Sequence, residues 1–186
     1  MKRFIFTVLG LITVASLTAQ NSKIQFVNSK IKIDGNLDES VWSQLKENTN
    51  FHNMIPTDIG LAKNQTSVKI FHDGEFIYVG AIYNDTTERR QVSSLKRDVS
   101  IGISDAFVLV LDTQNQQQNG NLFAVNAYGT QVDALVEKVN TGYGLNFSWS
   151  TVWKARATVK GTQKIVEIAI PFKALNISNK NSEFGV

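Results

Sequence analysis

The sequence predicts an all-β protein, an antiparallel β-sandwich with one or two short helical turns. Residues 104–134 read as strand, polar turn, strand, tight turn, strand, the pattern of neighbouring antiparallel strands joined by short links. Strand-like apolar runs recur about nine times along the chain, most of them closed by Gly, Asn or Asp. Helix signals are confined to residues 37–45 and 171–175. Helices are therefore too few to cover a parallel sheet, which leaves sheet-on-sheet packing.

Taken in order, residues 24–27 and 31–33 alternate apolar and polar side chains and are expected as short strands, with Asp34-Gly35 as a turn. Residues 37–45 predict a short helix. Asp38 is its expected N-cap and Glu39 is favourable at its positive end. Val41, Trp42 and Leu45 share one face, so Trp42 is expected in the core. Residues 46–63 form an aperiodic loop with Pro56 and Gly60, of the kind that can edge a binding site. Residues 66–71 and 76–84 are two strands joined by His72-Asp73-Gly74-Glu75. The second, FIYVGAIYN, is apolar throughout and is expected to be central.

Residues 85–104 are polar and read as a solvated crossover. Phe107, Leu109 and Leu111 then alternate with Val108 and Val110, which predicts a strand covered on both sides. Residues 140–149 form an aromatic-rich loop. Residues 152–159 and 165–170 pair as a hairpin about Gly161, and Pro171 opens a helical turn. Glu183-Phe184-Gly185-Val186 reads as the start of one more strand, so the record is expected to be a C-terminally truncated piece.

Residues 1–19 read as a signal peptide. Lys2 and Arg3 precede an apolar stretch at 4–17, which is too short to span a bilayer, and Ala19 offers a small residue at the cut. Residues 20–186 are then one domain. The formal charge of +3 falls to +1 once Lys2 and Arg3 are removed. There is no basic cluster, so nucleic acid is not an expected partner. The chain has no Cys, which excludes disulfides, a thiolate metal site and a lipoprotein signal. An exported protein without disulfides fits a bacterial periplasm or cell surface.

The chemistry on offer is limited. His52 and His72 are the only histidines, which argues against a triad or a multi-histidine zinc site. Asp98, Asp105, Asp112, Asp133, Glu137 and Glu167 lie at or near strands, but no spacing pairs two of them across a cleft, so hydrolase activity is not expected. The loop at 112–121 carries oxygen ligands that could hold calcium, or is simply a polar hairpin tip. Tyr143, Phe147, Trp149 and Trp153 lie close in the chain. A flat aromatic ring covers the apolar face of a sugar while amides and charges bond its hydroxyls. The alternatives are that Trp153 packs inward on its strand and that Trp149 covers a sheet edge.

An ordered set of motifs carries a resemblance. They are Ile33-Asp34-Gly35-Asn36-Leu37-Asp38-Glu39-Ser40-Val41-Trp42, Val68-Lys69-Ile70 with Phe76-Ile77-Tyr78-Val79, and Ser104-Asp105-Ala106-Phe107-Val108 through Leu111-Asp112. Then come Phe123-Ala124-Val125-Asn126 with Gly129, residues 149–153, and Glu167-Ile168-Ala169-Ile170-Pro171-Phe172. Together, over about residues 28–186, they are similar to the family 9 carbohydrate-binding module. They resemble in particular the version at the N-terminus of Bacteroidetes surface proteins that continue into a region like an outer-membrane β-barrel.

The resemblance implies a distorted jelly-roll sandwich and a non-catalytic domain, associated with glycoside hydrolases, that binds polysaccharide or oligosaccharide. It also implies structural Ca²⁺, a C-terminal β-barrel-like region as partner, and a place in the periplasm or outer membrane of a Gram-negative bacterium. Candidate carbohydrate-binding residues are Trp149, Tyr143, Trp153, Arg97, Asp105 and Asn126. Gly102, Val108 and Ala124 stand where sugar-binding members carry a stacking Trp, an acidic contact and an Arg. The alternative is a structural domain that packs on the barrel-like region and binds no glycan.

Overall fold

The computed structural model describes residues 24–54, 59–85, 95–98, 105–116, 118–140 and 142–177. The expected signal peptide at 1–19, most of the crossover at 85–104 and the expected strand at 183–186 lie outside the described residues. Among the described residues, apolar runs closed by turns form nine strands: β1 (Gln25–Phe26), β2 (Thr66–His72), β3 (Phe76–Asn84), β4 (Ala106–Leu111), β5 (Asn119–Asn126), β6 (Gln131–Val139), β7 (Gly142–Asn146), β8 (Lys154–Lys160) and β9 (Gln163–Pro171). A short helix, α1 (Ser40–Gln44), precedes β2, and a 3-10 turn (Phe172–Leu175) follows β9.

Two sheets result, one in the order β1-β2-β3-β9-β8 and one a meander, β4-β5-β6-β7. All pairings are antiparallel except β1 on β2. Alternate side chains of the two sheets meet in the main core. Ile77, Val79, Ala81, Val166, Ile168 and Ile170 come from the first sheet, and Leu109, Leu111, Phe123 and Val125 from the second. This is the predicted all-β sandwich.

A second core explains why β3 is apolar throughout. The segment 27–45 lies over the outer face of the five-stranded sheet. Val41, Trp42 and Leu45 pack there on Phe71, Tyr78 and Ala169, with Val27, Ile31, Ile33 and Leu37 around them. Trp42 is in the core, as its helical face predicts, and meets Phe71 edge-on at 5.3 Å. Gly80 of β3 makes the approach possible. A Cβ there would stand 2.8 Å from Leu37 and 3.0 Å from Trp42.

Several elements differ from expectation for physical reasons. Residues 31–33 are not a strand, because Ile31 and Ile33 serve as an apolar cover with no neighbouring strand to bond. α1 begins at Ser40 with Glu39, not Asp38, at its cap. Glu39 makes no cap bond, since its carboxylate accepts from Lys32 N and Trp42 Nε1, both at 3.1 Å. His72 belongs to β2, and the turn is built by Asp73, whose Oδ1 accepts from Glu75 N and Phe76 N at 2.8 Å. β4 is an edge strand covered on one side, not on both as its apolar run predicts. Leu109 and Leu111 face the core while Val108 and Val110 are exposed on the other side. The stretch 140–149 is not all loop, because β7 pairs with β6 there.

Two buried carboxylates tie distant segments to this frame. Glu167 sits in the middle of β9, fully buried on the outer face. Its Oε2 accepts from Asp34 N at 2.8 Å and Gly35 N at 3.0 Å, which pins the turn that opens the cover. Gly35 is required in that turn. It has φ +87°, and a Cβ would fall 2.6 Å from Thr158 Oγ1. Burial pushes the Glu167 carboxyl up to about 7; the two backbone N–H groups pull against this, and Glu39 and Asp34 add to it. Asp133 of β6 is the second. Its carboxylate accepts from Trp153 Nε1 at 3.2 Å, Thr151 N at 2.7 Å and the Arg97 guanidinium.

Both carboxylates generate predictions. Folded Glu167 holds its proton more tightly than the ordinary value of 4.5 allows. The stability this lends is complete below about pH 4.5 and is lost as pH rises through about 7, a swing of about 3 kcal/mol. Glu167→Gln keeps an accepting oxygen and removes the titration. Its melting temperature is expected to vary less than wild type's between about pH 5 and about pH 8. Glu167→Ala strands two backbone donors and is expected to cost about 3 kcal/mol in denaturant unfolding. Asp133→Ala leaves Trp153 Nε1 and Thr151 N without their acceptor and removes the buried carboxylate that pairs with Arg97. A loss of about 4 kcal/mol is expected by the same measurement.

Candidate functional site

One end of the sandwich opens into a cleft of about 640 Å³. It forms where the β4–β5 link, the end of β6, the chain after β7 and the 3-10 turn converge. Its walls include Asp112, Gln114, Asn121, Glu137, Trp149 and Asn176. Trp149 is half-buried, and its ring is fixed edge-on against Phe123 at 6.0 Å. Asp112 shapes its own turn, with Oδ1 accepting from Gln114 N at 3.1 Å. Glu137 Oε1 accepts from Asn146 Nδ2 at 3.5 Å. Asn176 takes the left-handed conformation that ends the 3-10 turn, and its N–H bonds Phe172 O. An indole wall beside amides and carboxylates can hold a polyol, with the ring on its C–H face and the polar groups on its hydroxyls.

The six residues expected to bind carbohydrate do not form one site. Trp149 lines the cleft. Trp153 is only 5% exposed, lies edge-on to Phe123 at 5.1 Å and has its N–H bonded to Asp133. It is a core residue, as inward packing on a strand requires, and not a sugar platform. Asn126 is buried, and its Oδ1 accepts from Tyr128 N and Thr130 N, both at 2.9 Å. It builds the β5–β6 turn. Arg97 clasps Asp133 and also donates to Gln131 Oε1 at 2.9 Å and Thr151 O at 3.0 Å. These three residues are gathered at the β5–β6 turn, and there they hold the fold.

Asp105 precedes β4, whose Ala106 pairs with Asn126. Its carboxylate lies 3.8 Å from the buried Lys164 ammonium, which also pairs with Asp85. Tyr143 is on β7 opposite Lys138, is 62% exposed, and does not line the cleft. The sequence reading missed Gln114, Asn121, Glu137 and Asn176 as lining residues. Gln114 and Asn121 belong to the Asn- and Gln-rich run after Asp112, which equally fits a plain hairpin tip; Glu137 and Asn176 lie outside it and carried no such signal.

Two further expectations meet the geometry. Val108 and Ala124 are direct cross-strand partners, so the positions where sugar-binding members carry an acid and an Arg stand side by side on β4 and β5, both apolar. Among the described residues no three His, Asp or Glu side chains gather to hold a metal. Asp112, the single acid of the 112–121 loop, already binds the N–H of its own turn.

Comparison with known proteins agrees with the architecture. Two solved structures of a family 9 carbohydrate-binding module from Caldicellulosiruptor kristjanssonii are similar, one in complex with glucose and one with cellotriose. The first is 14% identical with a TM-score of 0.56 and covers 80% of this chain and 66% of its own. The second is 15% identical with a TM-score of 0.56 and covers 81% and 67%. A structure from Bacteroides uniformis, described as a candidate carbohydrate-binding protein, is 16% identical with a TM-score of 0.58, covering 84% and 74%. The chain thus spans about two thirds of the length of the modules it matches. No curated protein matches it. At this identity the structures establish a shared fold. The family described as "Carbohydrate family 9 binding domain-like" matches residues 33–186, most of the chain, and the protein belongs to that family.

Proposed function

We propose that this chain is a non-catalytic carbohydrate-binding domain and that the cleft beside Trp149 takes the sugar. The observation that carries the reading is the half-buried indole, braced on Phe123, in the wall of an open cleft that also bears Asp112, Asn121 and Glu137. The cleft volume falls within the range of about 300–1,000 Å³ usual for small-ligand sites. Family membership supports the class of ligand, as do related modules in complex with glucose and cellotriose. In this reading the domain serves an exported protein engaged in polysaccharide binding or catabolism. The basic and apolar residues 1–19 support export to the periplasm or outer surface.

A second reading has its own support. The outer face of the four-stranded sheet exposes Val108 and Val110, beside Leu122, Ala124, Val132 and Ala134, which are already buried. A face of this kind suits a domain that packs on a further region of the same protein, such as a β-barrel-like one, and binds no glycan.

Isothermal titration against xylo- and cello-oligosaccharides separates the two. Carbohydrate binding is expected at micromolar to millimolar affinity, about −8 to −4 kcal/mol. Trp149→Ala is expected to weaken it at least about tenfold. Glu137→Gln, a near-isosteric change in the same wall, is expected to weaken it without lowering the melting temperature. Absence of heat with every sugar, from a folded sample, would favour the packing role.

A further inference from the structure

Strand β8 is an edge of the five-stranded sheet. Its register on β9 is unbroken and pairs Lys154 with Ala169, Arg156 with Glu167 and Lys160 with Gln163. Ala169 and Glu167 face the outer side of the sheet, and paired side chains share a face. Lys154, Arg156, Thr158 and Lys160 therefore stand in single file on that side, while Ala155 enters the main core. The three cations are exposed. Alternate positions recur about every 7 Å along a strand, so the file is about 20 Å long. In the sequence the cations are interrupted by Ala155, Ala157, Thr158 and Val159, and they do not read as a basic run.

The file carries no counter-charge. Elsewhere Lys30 meets Glu75, Lys32 meets Asp34, Arg97 meets Asp133 and Lys164 meets Asp85. Lys154, Arg156 and Lys160 meet no carboxylate among the described residues. Arg156 Nη1 donates to Ala155 O at 3.0 Å and Lys160 Nζ to Asn36 Oδ1 at 2.9 Å, so both are aimed by neutral acceptors. Gly35 lies against Thr158 and Arg156, which makes the Asp34–Asn36 turn the border of the file. The acid of that turn is already engaged. Asp34 pairs with Lys32 Nζ at 3.5 Å and accepts from Asn36 N and Nδ2, both at 3.1 Å. Glu167, opposite Arg156, is buried and turned to Asp34 N and Gly35 N. Charge on an edge strand wards off other strands, but either sign does that. Three charges of one sign without partners add a positive field along a line.

We propose that this file is a binding track for an acidic polysaccharide, whose carboxylate or sulfate groups meet Lys154, Arg156 and Lys160 in turn. A linear polyanion matches a linear row of cations. The Arg156 guanidinium suits a planar carboxylate, and Thr158 stands between Arg156 and Lys160 where it can bond a hydroxyl. Three cations in single file are fewer than the roughly four to eight of surfaces that hold anionic membranes. The proposal rests on the reading of this domain as a carbohydrate binder, but not on the cleft beside Trp149.

Interferometry on immobilised polygalacturonate, dextran sulfate and uncharged hydroxyethylcellulose tests it. The protein is expected to bind at least one acidic polymer at least about tenfold more tightly than the neutral one. The polymer preferred identifies the acid as carboxylate or sulfate. Raising salt from about 50 to about 200 mM is expected to weaken the binding about tenfold, since exposed charges are screened. Lys154→Gln with Arg156→Gln is expected to cut it at least about tenfold with no change in melting temperature, because neither side chain has a carboxylate partner to lose. Trp149→Ala is expected to leave it unchanged, so a failure of the cleft and a failure of the track are read separately. No binding to either acidic polymer overturns the proposal, as does undiminished binding by the double variant. Equal affinity for duplex DNA overturns it in favour of a general polyanion contact.

Discussion

The structure depends on the five-stranded sheet being buried on both faces. One face meets the four-stranded sheet in the main core. The other would be an apolar surface of Phe71, Tyr78 and Ala169 if residues 27–45 did not lie across it. Burying Trp42 and Phe71 there contributes about 5 kcal/mol, comparable with the whole stability of a small domain. The cover has almost no regular structure of its own, so it is held by side-chain packing and a few specific bonds. Glu167 supplies two of them from the middle of the sheet. A carboxylate in that position is costly to ionise, yet it alone reaches both donors of the Asp34-Gly35 turn. The conflict between burial and bonding is what moves its titration toward neutrality.

The same logic governs the other sheet. The link from β7 to β8 crosses the end of the sandwich, and its backbone would be unsupported there without Asp133. That carboxylate collects a ring N–H and a main-chain N–H from the 151–153 segment and a guanidinium from Arg97. By fixing Thr151 and Trp153 it also fixes where the chain at Trp149 can lie. The cleft wall is thus a consequence of the clasp: Trp149 and Trp153 both pack on Phe123, one toward the opening and one inside.

Much of this was legible in the sequence, and the reasons are local. The β2–β3 and β8–β9 hairpins follow from apolar runs closed by Asp73-Gly74 and Gly161, and the helical turn after Pro171 follows from its ring. The central place of β3 follows from its unbroken apolar composition. The same rule failed for β4, which is as apolar as β3 but lies at an edge. Composition reports that a face avoids water without saying what, if anything, lies on it. Residues 31–33 failed for a related reason. Alternation marks a segment lying on a surface, and Ile31 and Ile33 do so without a hydrogen-bonding neighbour.

The candidate site was legible only in part, because polar residue types do not reveal whether they bind the chain or a ligand. Arg97, Asn126 and Trp153 have the chemistry of a sugar contact, and in the folded chain each is occupied by the protein itself. Trp149 differs because it reaches the core by one edge and leaves the rest of its ring to the cleft. Val108 and Ala124 sharpen the point. Family resemblance places the expected polar contacts at these positions, and the β4–β5 register sets them opposite each other as an apolar pair. A polyol gains nothing there to replace its lost water. A carbohydrate held by this chain therefore has to find its hydroxyl partners elsewhere. The amides and carboxylates beside Trp149 are the place where the described fold supplies them next to an aromatic face.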